Sequence, residues 1–109
     1  MTDECKDDIE YVDDDGYPTD AALKLVREWD VKDVKEFHDL MLMVKYLWRW
    51  ANYVIRNNEQ YTLITGGWSG NESIVAAMKE NLLLHIMYWY SSNRSGTHIY
   101  APHGWEVKE

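Results

Sequence analysis

The sequence predicts an α+β domain in the order α-α-β-β-α-β-β, an antiparallel sheet with helices packed on one face. Two observations predict it. Apolar residues recur at helical spacing from residue 20 to about 51. Short β-branched and aromatic runs then alternate with turn residues, on either side of one further helical stretch.

Tyr17-Pro18-Thr19-Asp20 opens the first helix: Thr19 can cap it, and Asp20 sets negative charge beside the positive end of the dipole. Ala22, Leu25, Val26 and Trp29 follow at helical spacing. Asp33, with Glu36 three residues on, opens the second helix as a variant of the capping box. Its inward stripe reads Phe37, Leu40, Met41, Val44, Leu47, Trp48 and Ala51. The opposite face mixes Lys35, Glu36, Asp39 and Lys45 with Met43, Tyr46 and Trp50, more apolar surface than a packed helix needs.

Tyr53-Val54-Ile55 and Tyr61-Thr62-Leu63-Ile64-Thr65 read as a β-hairpin turning through Asn57-Asn58-Glu59-Gln60. Gly66 and Gly67 end the second strand. Ser69-Gly70-Asn71-Glu72 then fits a capping box, and the third helix runs to about Glu80 with Ile74, Ala77 and Met78 inward. Asn81 is its stop. Residues 82–90 form an apolar run that period alone cannot assign. Their aromatic content and the turn Asn93-Arg94-Ser95-Gly96 favour a second hairpin, returning through Thr97-His98-Ile99-Tyr100. Pro102 and Gly104 close the ordered part.

The formal charge of −8 is unevenly placed: the first twenty residues hold nine acids and one base, Lys6, whereas ten acids balance ten bases in the remainder. Residues 1–16 are therefore expected to be a flexible acidic tail, and 17–109 a single domain close to neutral. A neutral body lacks the cationic surplus that binding duplex nucleic acid requires. The single cysteine, Cys5, precludes an intramolecular disulfide and points to a reducing compartment, the cytoplasm. The apolar run at 82–87 is broken by His85 and falls far short of the roughly 20 residues of a membrane span. The acidic start does not resemble an export signal.

The segment richest in chemistry is Thr65-Gly66-Gly67-Trp68-Ser69-Gly70-Asn71-Glu72. Its glycines let successive N–H groups turn inward, and the next helix adds unpaired donors and a positive dipole end. Such a loop suits a phosphate or a carboxylate, with Trp68 as a stacking surface. The same residues equally suit a plain turn in which Ser69 and Glu72 cap the helix and Trp68 enters the core. Arg94 and His98, on the second hairpin, would complete an anion site if that turn approaches the loop. The candidate ligand-binding residues are therefore Gly66, Gly67, Trp68, Ser69, Asn71, Arg94 and His98.

Catalytic motifs fail in detail. A P-loop needs Lys where Asn71 follows Gly70, and a nucleophile elbow needs glycine at Asn71. Ser69 with His98 as base lacks an acid to orient the histidine. His98 and His103 straddle Pro102, His38 and His85 lie in helical or apolar runs, and no carboxylate pair has ligand spacing. No enzymatic activity, metal or cofactor is expected. Six Trp and eight Tyr exceed what so small a core encloses, which favours ligand stacking, a protein partner or a homo-oligomer.

Y-P-T at 17–19, E-W-D at 28–30, T-G-G-W-S-G-N-E at 65–72, Y-W-x-S at 88–91 and R-x-G-x-H-x-Y at 94–100 occur in that order. Together they resemble a group of small uncharacterised proteins encoded by bacteriophages and prophages, over residues 17–101. Ser95 and the inserted Thr97 depart from the R-G-G-H usual in that group. The resemblance implies a phage accessory protein in the cytoplasm of a bacterial host, but no activity. Two readings follow. One is a non-catalytic protein that holds a phosphorylated small molecule, such as a nucleotide, at the glycine loop and sequesters a defence signal. The other is an inhibitor of a host protein, acting through the acidic tail and exposed aromatics such as Trp50.

Overall fold

The computed structural model describes residues 10–102. The fold is α+β, with helices α1 (Asp20–Glu28), α2 (Val34–Leu47), α3 (Ser69–Glu80) and α4 (Leu82–Tyr88). Strands β1 (Val54–Asn57), β2 (Gln60–Ile64), β3 (Trp89–Ser92) and β4 (Thr97–Tyr100) form one antiparallel sheet in the order β1-β2-β4-β3. The hairpins join through the central pair β2–β4, where Tyr61 opposes Tyr100 and Leu63 opposes His98.

Both N-terminal helices start where their polar residues satisfy free amides. Thr19 Oγ1 accepts from Ala22 N at 3.2 Å, and Asp33 Oδ1 from Glu36 N at 2.9 Å. The Glu36 carboxylate does not reach back to close a box; it accepts from Trp29 Nε1 at 3.1 Å and so ties α2 to the end of α1. Phe37, Leu40, Met41, Val44 and Leu47 are buried as their spacing predicts. Phe37 lies flat on Tyr88 of α4 (centroids 4.2 Å apart) and edge-on to Tyr61 of β2 (5.5 Å), so helices and sheet share one core.

Ala51 does not extend that stripe. The helix ends at Leu47, Trp50 takes a left-handed conformation (φ 64°), and exposed Ala51 begins a single 3₁₀ turn, Ala51–Tyr53. Residues 82–88 are helical and β3 starts only at Trp89. The cause is Asn81, which ends α3 and caps α4: its Oδ1 accepts from Leu84 N at 3.1 Å, while Nδ2 donates to Val26 O and Trp29 O at 3.0 and 2.8 Å.

The boundary expected at 16/17 lies earlier in the chain. Asp13 Oδ1 accepts from the amides of Asp15 and Tyr17, Val12 bridges Pro18, and Tyr11 and Val12 pack against the core. Residues 10–16 therefore belong to the domain, because two apolar side chains and an Asx turn order them. Residues 1–9 of the expected tail, Cys5 among them, and His103, Gly104 and Trp105 lie outside the described residues. No helix among the described residues is long and apolar enough to cross a membrane.

Candidate functional site

Gly66 and Gly67 take positive φ angles of 64° and 78°, turning the chain from β2 into α3. Their neighbours use the loop's donors internally: Trp68 N donates to Thr65 O at 3.2 Å and Gly67 N to Thr65 Oγ1 at 3.4 Å. The capping box does not form. Trp68 itself occupies the N-cap without a side-chain bond, and Ser69, one residue inside the helix, donates through Oγ to Tyr17 OH at 3.4 Å. Glu72 instead accepts from Thr65 Oγ1 at 3.3 Å. The Trp68 indole folds over Gly70, where any Cβ would overlap the ring. Gly66 and Gly70 thus make room for the indoles of Trp50 and Trp68.

Asn71 is fully buried and leaves no polar group for a guest. Its Oδ1 accepts from Arg49 N at 2.9 Å, and Nδ2 donates to Arg49 O at 3.2 Å and Thr65 O at 3.1 Å. This clamp holds Arg49 between two indoles, its guanidinium 4.9 Å from the Trp68 ring and 5.6 Å from that of Trp50. Tyr17 packs on Trp68 at 4.7 Å and Tyr53 on Trp50 at 5.8 Å, leaving Trp50 45% exposed. Arg49 lies outside the residues picked out by sequence; its position between Trp48 and Trp50 is the signal that could have found it.

Arg94 and His98 lie elsewhere, in a cleft of about 250 Å³ between α3 and the β3–β4 turn. Glu72, Val75 and Lys79, on one face of α3, form one wall; Arg94, Gly96 and His98 form the other. Asn93 fixes the turn by accepting from the amides of Ser95 and Thr97, and Gly96 O accepts from Thr65 N at 3.0 Å. The cleft thus brings together Arg94 and His98, while Gly66, Gly67, Trp68 and Ser69 are not among the residues that line it. The two motif segments still meet, through Glu72 in the cleft wall and through the bond from Thr65 N to Gly96 O. Lys79 escapes a reading by motif because a lysine near a helix C-terminus looks solvated. Its spacing of seven from Glu72, two turns along one face, is the available clue.

The cleft is cationic at its rim: neither Lys79 nor Arg94 forms an ion pair among the described residues. His98 Nδ1 lies 2.7 Å from Ser92 Oγ, which also accepts from Trp89 Nε1 at 2.9 Å. Ser92 can donate to Nδ1 while it accepts from Trp89, and in that tautomer the imidazole proton sits on Nε2. Burial holds the His98 pKa below the ordinary histidine range; Lys79 pushes the same way and Glu72 opposes. A neutral histidine with a donor to spare thus sits below two cations, an arrangement able to bind an anion. Among the described residues no three His, Cys, Asp or Glu side chains converge as metal ligands. Set against known family models, curated proteins and solved structures, the chain matches none of them.

Proposed function

We propose that this protein is a non-catalytic binder of a small phosphorylated molecule, held in the cleft between α3 and the β3–β4 turn. The observation that carries the reading is the placement of Lys79 and Arg94 on opposite walls above His98, neither of them ion-paired among the described residues. Arg94 offers a fork to phosphate oxygens, Lys79 a point charge, and His98 Nε2 a neutral donor. Glu72 would accept from a hydroxyl or amine beside the phosphate. A cleft of about 250 Å³ suits a compact phosphate ester better than a dinucleotide. Such a protein would act by sequestration, withholding its ligand unchanged, as a phage accessory protein directed at a host signal would.

Calorimetry with inorganic phosphate and with nucleoside monophosphates tests this. Arg94→Ala and Lys79→Ala should each weaken binding by roughly tenfold or more, the loss of one charge-assisted hydrogen bond. Absence of heat and of any thermal shift with all these probes would overturn the reading. Binding should also depend on pH. The free imidazole titrates below its ordinary value of 6.5, so it is neutral at neutral pH, and a bound anion favours its protonated form. Binding is then coupled to proton uptake. Sulfate, whose charge is constant in this range, should bind more tightly at about pH 5.5 than at about pH 7.5, and His98→Gln should flatten that dependence.

A second reading rests on the Arg49, Trp50 and Trp68 cluster, since Trp, Tyr and Arg are the residue types that dominate protein contacts. If a host protein docks there, Trp50→Ala should weaken its capture by ~30-fold or more, the scale of a hot spot of 2 kcal/mol. An unchanged pull-down would dismiss that surface.

A further inference from the structure

We infer that α4 is a self-association surface and that the protein forms a two-fold homodimer through it. Leu82, Leu83, Ile86 and Met87 are 68%, 40%, 63% and 43% exposed, and their spacings of three and four place them on one side of the helix. Trp89, 38% exposed, continues the apolar surface into β3. Trp89 belongs to this side because it stacks on His85 of α4, ring centroids 4.9 Å apart.

Two features identify the occupant as a second copy. From Asn81 through Asn93 the chain carries no Asp, Glu, Lys or Arg, although 28% of all its residues are charged. A charged or polar partner would gain nothing from such a surface. An identical face meets it without burying a single formal charge, and a two-fold axis presents each residue to its complement. The five side chains offer on the order of 500 Å² per copy, so a pair buries about 1,000 Å², the area that a specific interface should clear. β3 is an edge strand, but the bulge between Trp89 and Ser91 spoils its outer ladder, which favours helix-on-helix packing over strand pairing.

Sedimentation velocity and light scattering of the full chain at about 50 μM should give twice the mass of one chain, dissociating on dilution. Ile86→Asp and Leu82→Lys, at positions more than three-fifths exposed, should each give single chains with an unchanged circular dichroism spectrum. Added salt should strengthen the dimer, because it screens repulsion between two copies of charge −8. A wild-type chain that stays single up to about 1 mM would overturn the inference, as would a dimer that survives Ile86→Asp.

Discussion

Asn71→Ala is expected to lower the free energy of unfolding by about 3–5 kcal/mol, more than most single substitutions in a domain of this size. Asn71 lies fully buried at the start of α3 and makes three hydrogen bonds, two to Arg49 and one to Thr65. Alanine removes all three and leaves the buried Thr65 carbonyl and the part-buried Arg49 amide and carbonyl without this partner, where each unmet polar group costs about 1–3 kcal/mol. Arg49 would also lose its place between the indoles. Urea denaturation monitored by tryptophan fluorescence reads the result, since the transition midpoint should fall steeply while its slope stays constant. Asn71→Asp should cost as much or more, because it turns a carboxylate oxygen towards the Arg49 and Thr65 carbonyls. A midpoint shift worth less than about 1 kcal/mol would refute this account of Asn71.

The second large effect is expected at Gly96. It has φ 89°, and a Cβ there would run into Thr65 Oγ1. Alanine would incur about 1–2 kcal/mol of left-handed strain. It must also displace either the hairpin or Thr65, whose amide bonds Gly96 O and whose hydroxyl reaches Glu72. A total of about 3 kcal/mol follows, together with loss of the proposed phosphate binding, since Gly96 lines the cleft. Gly67→Ala is the matched control. It has a similar φ of 78° but open space where the methyl would go, so it should cost only about 1–2 kcal/mol and leave the cleft intact. Equal losses for the two variants, measured by the same denaturation, would show that strain alone matters and that the Thr65 contact does not.

The helix starts at Thr19 and Asp33 were legible because a cap is a local device: the side chain and the amides it satisfies lie within three residues. The helix at residues 82–88 was not, since its nine-residue apolar context suits either period. What decides it is Asn81, which gains two of its bonds from carbonyls more than fifty positions away. The stripe from Phe37 to Leu47 was readable, yet its end before Ala51 was not, because the chain breaks helical geometry at a tryptophan, a residue that rarely adopts positive φ. The candidate site divides in the same way. Arg94 and His98 could be paired from their hairpin. Their distance from Gly66 and Gly67 depended on which side of α3 the hairpin meets, a property of sheet order. Gly66 and Gly70 read as free backbone; whether they admit a ligand or an indole turns on where Trp50 and Trp68 settle, which no local rule determines.

Sheet order also dictates how the protein assembles as it folds. Each hairpin can zip up from its own turn, but β2 meets β4 only after a loop of about thirty residues closes, carrying α3 and α4 with it. Lys79 and Arg94 both lie on that loop, one on α3 and the other on the β3–β4 turn. The pairing that sets β4 beside β2 also sets the turn bearing Arg94 against α3, so the cleft takes shape with the central pair.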